Sequence, residues 1–183
     1  YLDDGGKGVY SDHRRFGIMD IFETENQENH KLLKNIGPEP MPGSLTPEIL
    51  SNKLKRRIPI KNALLDQKIV AGLGNIYVCE ILNRAGISPK RKAETLVLKN
   101  GISKRMERLV FEIHSVMIEA IDAGGSTLQD FRGVDGDDAL GYFPNSFMAY
   151  GREGKNCLKK SCDGTIKRII QSNEKLFRKI KLL

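Results

Sequence analysis

Cysteine, histidine and long apolar runs are all scarce in this chain. Three cysteines, an odd number, argue against a secreted disulfide framework. His13 and His30 have no partners at metal-ligand spacing, and His114 falls off the apolar face of its segment, which predicts a surface position. No apolar stretch approaches membrane-crossing length, and the first residues are acidic and glycine-rich rather than signal-like. These absences predict a soluble, cytoplasmic protein with no membrane partner. Internal repeats are also lacking.

What the chain does have is unevenly placed charge. The net charge is +7 over 183 residues. Residues 155–183 hold nine Lys/Arg against Asp163 and Glu174, so that stretch carries the whole excess and the remainder is neutral. Such a tail suits a polyanionic partner, although a solvated basic tail is the plainer alternative. With 39% hydrophobic and 29% charged residues, the length fits one ordinary domain or two small ones.

The densest signal is Val70-Ala71-Gly72-Leu73-Gly74-Asn75-Ile76-Tyr77, two glycines running into an apolar, helix-compatible segment. Glycine permits a tight turn and close approach of a ligand to the backbone, and the following helix start offers free N–H groups to an anion. A plain connection would look similar. Lys61 upstream and Lys90-Arg91-Lys92 downstream favour a phosphate-binding reading.

Around this junction the pattern divides the chain. Phe16–Phe22 has strand character, and Gly37-Pro38-Glu39-Pro40-Met41-Pro42-Gly43 reads as a rigid linker. Thr46-Pro47 opens a helix with Leu50, Leu54 and Ile58 on one side; a short helix follows around Lys61–Gln67, then another from about Asn75 to Arg84. From Ile102 to Ile121 one stripe collects Met106, Leu109, Val110, Ile113, Val116, Met117 and Ala120, closed by Gly124-Gly125. Phe143–Tyr150 allows a strand, and β-branched Ile166, Ile169 and Ile170 allow the tail to pair as a hairpin.

With these segments in order, the chain resembles the formamidopyrimidine-DNA glycosylases, bacterial base-excision repair enzymes that remove oxidised purines. The matching stretches are Ser11-Asp12-His13-Arg14-Arg15-Phe16-Gly17, Leu33 with Gly37-Pro38-Glu39-Pro40, Ile60-Lys61 through Leu65-Asp66-Gln67-Lys68, and Gly72-Leu73-Gly74-Asn75-Ile76-Tyr77. Further along come Glu80 with Ala85-Gly86-Ile87-Ser88-Pro89, Gly124-Gly125-Ser126-Thr127-Leu128-Gln129-Asp130-Phe131, and Tyr150-Gly151-Arg152. The related endonuclease VIII type is less similar around Asn75 and Gly125-Ser126-Thr127.

The resemblance implies roles. Arg14 matches the arginine that fills the hole left by a flipped nucleotide, Phe16 the aromatic wedge beside it, and Arg15 an electrostatic support. Arg57, Lys61, Asn75 and Tyr150 match positions touching the DNA backbone near the lesion. Ser126, Thr127 and the loop Gly133–Tyr142, with Tyr142 at its end, fall where the family recognises the flipped base. Outside the resemblance, Arg14-Arg15 reads as a solvated pair and Phe16 as core. Glu80 reads as structural and Cys79 as a buried helix residue.

Two departures from the family stand out. Its reacting N-terminal proline, the adjacent glutamate and an assisting lysine have no match in these residues, so the chain alone is expected to bind DNA without cutting it. The family's zinc finger uses two C-x-x-C pairs, whereas this tail has only Cys157 and Cys162, with Lys160 in place of the pair's second cysteine and Lys179 and Leu182 at the second pair. Two ligands do not close a tetrahedral site, so no cofactor is expected, although zinc is implied for the intact family. Glu174 stands where the family's finger arginine would, with Arg168 or Arg178 as substitutes in a different register.

The expectation is therefore an α+β chain. Residues 1–36 form part of an N-terminal β-sandwich, 37–43 a linker, 44–145 a helical helix-two-turns-helix domain, and 146–183 a β-hairpin tail resembling a zinc finger without its full ligand set. The expected function is the DNA-binding part of a formamidopyrimidine/8-oxoguanine DNA glycosylase with AP lyase activity, working as a monomer on double-stranded DNA containing oxidised purines. The alternatives are a non-catalytic duplex or lesion binder and a structural nucleic-acid module.

Overall fold

The computed structural model describes residues 3–10, 12, 17–125, 143–160, 162–171 and 174–180. The chain divides into two compact units, Tyr1–Asn35 and Ile36–Leu183. In the first unit the described part of the expected strand, 17–22, forms no strand, and a 3-10 turn, Thr24–Asn29, follows it. A strand exists through a hydrogen-bonded neighbour, and among the described residues of this unit none lies beside it. Local contacts hold it instead: Phe22 stacks on His30 with ring centroids 4.2 Å apart, and His30 Nε2 lies 3.2 Å from Asp20.

The second unit is built on four helices. Helix α1 (Pro47–Lys53) starts at Thr46, whose hydroxyl accepts the Ile49 N–H at 3.3 Å, with proline at the first helical position. Helix α2 (Ile60–Leu65) leads through two turns into α3 (Asn75–Ala85), which ends at Gly86 in the left-handed conformation. Helix α4 (Lys104–Asp122) starts at Ser103, whose hydroxyl accepts the Met106 N–H at 3.1 Å and donates to the Leu96 carbonyl at 2.9 Å. Its end is closed by the Gly125 N–H on the Ala120 carbonyl at 2.7 Å.

Leu50 and Leu54 of the α1 turn, Ile60 and Leu64 of α2, Val78 and Ile81 of α3, and Met106, Leu109, Ile113 and Val116 of α4 form one buried core. Each such side chain contributes about 1.5–3 kcal/mol on burial. Two expectations for α4 change. Ile121 is 60% exposed, because it lies about 100° around the helix from buried Ala120. His114 is half-buried rather than on the surface: its Nε2 is enclosed with no partner among the described residues, and the ring bonds to the Leu45 backbone.

The linker is also more than a connection. Gly37 donates its N–H to the Gln67 carbonyl at 2.7 Å, and Ala71 donates to the Pro38 carbonyl at 2.9 Å, so Gly37-Pro38 lies along the turns between α2 and α3. A Cβ on Gly37 would sit 2.7 Å from the Ile69 backbone, so only glycine fits there. Phe143–Tyr150 is not a strand. It starts as a 3-10 turn, Phe143–Ser146, whose aromatic rings pack edge to face: Phe143 on Phe147 at 5.5 Å, Phe147 on Tyr150 at 5.7 Å.

The basic tail folds as an antiparallel hairpin of β1 (Thr165–Gln171) and β2 (Glu174–Ile180), with Thr165 opposite Ile180 and Gln171 opposite Glu174. Along the other edge of β1, Gly154 and Ile166 exchange backbone bonds with their neighbours (Gly154 N–H to Ile166 C=O, Ile166 N–H to Lys155 C=O, both 2.9 Å). Ile166, at the centre of this pairing, is fully buried. The described chain is thus mixed, helices with few strands, and no described helix is long and apolar enough to cross a membrane.

Candidate nucleic-acid interface

Within the junction between α2 and α3, Gln67 bridges the loop from one side to the other. Gln67 donates from Nε2 to the Leu65 and Leu73 carbonyls at 3.2 and 3.1 Å, and its Oε1 accepts the Gly72 N–H at 2.7 Å. One amide therefore satisfies backbone groups on both sides of the loop and sets its path. Gly72 has φ +70°, a conformation that disfavours any side chain although the space beyond it is open. Gly74 then precedes α3 and, having no side chain, makes no cap bond to the helix that begins at Asn75.

Lys61 lies on α2 and is 1% exposed, an unusual burial for an ammonium-bearing chain. Its backbone N–H reaches the Pro89 carbonyl at 3.4 Å, and Ile60 donates to the Arg91 carbonyl at 2.7 Å. The basic triplet Lys90-Arg91-Lys92 is thereby laid along the entrance of α2, with Lys90 and Lys92 exposed. Arg57, just before α2, has 81% of its side chain exposed and pairs with Glu94 at 3.3 Å. Such an exposed pair contributes about 0–1 kcal/mol and leaves the guanidinium easily redirected.

Asn75 opens α3, and its Oδ1 accepts the thiol of buried Cys79 at 3.8 Å, one turn on. Tyr150 is tied to the same helix. Glu80 is fully buried, and its carboxylate accepts the N–H groups of Met148, Ala149 and Tyr150 at 2.8, 3.0 and 2.7 Å. A buried carboxylate needs such donors, and here they fix the backbone that carries Tyr150. Lys61, Asn75 and Tyr150 thus belong to one bonded assembly of α2, α3 and the segment captured by Glu80. Arg14, Arg15, Phe16, Ser126, Thr127 and Tyr142 lie outside the described residues.

Two contributors, Gln67 and Lys159, were not assigned a role from the residues alone, while Glu80, read as structural, holds three backbone N–H groups. Gln67 stood inside a matching stretch without a function. Glu80 had a legible signal, a carboxylate in the run Val78-Cys79-Glu80-Ile81-Leu82, where a charge demands a partner. Lys159 gave none: its ammonium donates to the Asn83 and Arg84 carbonyls at 2.6 and 3.1 Å, at the C-terminal end of α3. That end is also bound to α4 through Arg84 and Glu119 at 2.6 Å. Burial works against the Arg84 charge, but the Glu119 bond and the surrounding carboxylates hold its pKa above the usual value.

The residues at the tail do not fit a tetrahedral zinc site. Cys157 is buried and bonds through its N–H to the Gly164 carbonyl at 2.8 Å, while Cys162 Sγ accepts the Gly164 N–H at 3.3 Å. Among the described residues no third His, Cys, Asp or Glu joins them in a ligand cluster. The end of β2 brings Lys179 opposite Ile166 and Ile180 opposite Thr165, residue types that do not ligate zinc.

Known proteins share this arrangement. The formamidopyrimidine-DNA glycosylase of Ruegeria pomeroyi is 50% identical over 178 residues, 97% of this chain and 60% of the relative's own length. The chain therefore spans less than two thirds of that protein. Among solved structures, MutM in complex with carbocyclic 8-oxo-G containing DNA matches with a TM-score of 0.77 at 31% identity, over 92% of this chain and 58% of that one. The complex between Lactococcus lactis Fpg and DNA containing an abasic site matches at 0.71 and 30%, over 84% and 54%. Residues 36–132, which hold all four helices and the pinned glycine turn, match the formamidopyrimidine-DNA glycosylase H2TH domain. The chain belongs to the formamidopyrimidine-DNA glycosylase family.

Proposed function

We propose that these residues supply the DNA-gripping part of a base-excision repair glycosylase that removes formamidopyrimidine and 8-oxoguanine bases and nicks the strand as an AP lyase. The observation that carries the reading is the Gln67-pinned turn, which opens α3 at Asn75 while α2 carries buried Lys61. A helix entrance without a side-chain cap and a buried cation together suit a backbone phosphate. The DNA in the similar solved structures, carrying carbocyclic 8-oxo-G or an abasic site, supports a damaged duplex as partner.

In this reading Arg57, Lys61, Asn75 and Tyr150 hold phosphates beside the lesion. Arg14 and Phe16 fill the gap in the stack and Arg15 adds positive potential, offsetting an unstacking cost of a few kcal/mol. Ser126, Thr127 and Tyr142 receive the flipped base. Residues 1–36 act as part of a β-sandwich, 37–43 as its connection, 44–145 as the helix-two-turns-helix domain and 146–183 as a finger-like hairpin. The protein works as a monomer in the cytoplasm, where bacterial DNA is.

The test is fluorescence anisotropy on matched duplexes, with and without an abasic analogue, across a salt series. Affinity is expected to fall steeply with salt, and Lys61→Met to reduce the slope by about 0.9 per lost phosphate contact, equally for both duplexes. A flat salt response refutes the reading. The second reading is a non-catalytic lesion binder. Borohydride trapping on lesion DNA separates the two: an adduct assigns the chemistry to an amine in these residues, and none leaves binding alone.

A further inference from the structure

We propose that the β1–β2 hairpin of this chain is seated by its own side chains rather than by a metal, with Gln171 as the positioning residue. Gln171 is the last residue of β1, and its Nε2 donates to Asn62 Oδ1 at 2.8 Å and toward the Pro89 carbonyl at 3.4 Å. Both acceptors belong to the seat of Lys61. Asn62 is the next residue of α2, and the same Pro89 carbonyl takes the Lys61 N–H. The hairpin is thereby registered against the one buried lysine of the described residues.

A second anchor lies in the segment that precedes β1. Lys159 places its ammonium on the Asn83 and Arg84 carbonyls, where the last turn of α3 presents unpaired oxygens and the negative end of its dipole. Along the hairpin itself, Arg168 pairs with Glu153 at 3.1 Å. A metal clamp of this size would fix the loop before β1 to the end of β2. Here that end offers Lys179 and Ile180 in the register, residue types that do not ligate zinc, and the segment before β1 supplies only Cys157 and Cys162. The anchoring instead runs to α2 and α3. The benefit to DNA binding rests on the proposed function above.

The experiment combines zinc analysis of the full chain, expressed in zinc-supplemented medium, with hydrogen exchange of peptides spanning 165–180. Substoichiometric zinc is expected, with hairpin exchange unchanged by a strong chelator. Gln171→Ala should speed exchange of the hairpin about tenfold while α4 peptides stay protected. Asn62→Ala should do the same, and the double variant no more than either alone. Lys159→Met should loosen the hairpin and Lys159→Arg, still able to donate to both carbonyls, should restore it. One zinc per chain, chelator-driven exchange, or a Gln171→Ala hairpin as protected as the parent overturns the proposal. Anisotropy on the same proteins keeps the two ideas apart: a loosened hairpin with unchanged DNA affinity sustains the anchor and removes the tail from the DNA reading.

Discussion

Replacing Glu80 by glutamine tests whether one buried carboxylate orients the Tyr150 segment. The side chain is fully buried, with Oε1 accepting from Ala149 and Tyr150 and Oε2 from Met148. Glutamine keeps the shape but turns one acceptor into a donor. With its oxygen facing Ala149 and Tyr150, the amide NH2 confronts the Met148 N–H, which loses its acceptor at about 1–3 kcal/mol. The two remaining bonds fall from charge-assisted to neutral strength, about 1 kcal/mol each, while the neutral amide is cheaper to bury. The net loss is about 2–3 kcal/mol, or roughly 4–12 °C in Tm for a chain of this size. Differential scanning calorimetry measures the loss, and anisotropy on lesion duplex should show weaker binding as Tyr150 loses its fixed backbone. A Glu80→Gln protein melting within about 1 °C of the parent would show that the three N–H bonds are replaceable by water, and the argument for Glu80 as an anchor would fail.

Gly37→Ala places a methyl 2.7 Å from the Ile69 carbonyl carbon and oxygen, backbone atoms that cannot swing aside. It should cost about 1–3 kcal/mol by chemical denaturation, and unchanged stability would refute the close approach. His114 is held neutral, since burial lowers its pKa more than the Leu45 bond raises it. A lowered folded-state value means its contribution is present at neutral pH and is lost as pH falls below about 6.5, the unfolded value. The parent should therefore lose Tm between pH 7.5 and 5.5 more steeply than His114→Gln, and parallel curves would contradict this.

The helices were legible because their signals are local. Thr46-Pro47 and Gly124-Gly125 announce ends through caps and turn chemistry, and the α4 stripe follows from periodicity, whereas the Ser103 cap emerged only in the structure. The two failures on α4, Ile121 and His114, come from what lies opposite each position, which spacing does not encode. Phe16–Phe22 and Phe143–Tyr150 both read as strands from β-favouring residues, yet pairing is decided by a neighbour. In 17–22 none of the described residues supplies one, and in 148–150 a carboxylate takes the N–H groups that a ladder would use. Lys159 acts through backbone carbonyls, and Gln67 and Gln171 do so in part, and a backbone group carries no residue-type signature.

Glu80 also dictates an order of events during synthesis. Its acceptors wait for N–H groups 68 to 70 positions further along, and closing a loop of that length costs roughly 4 kcal/mol of chain entropy. Until Met148–Tyr150 leave the ribosome, a helix with Val78, Cys79, Ile81 and Leu82 ready to pack must keep one ionised group hydrated among them. A nascent chain halted before that point therefore cannot dehydrate α3 fully, and its apolar face remains accessible to chaperones and proteases for as long as translation of the intervening stretch takes.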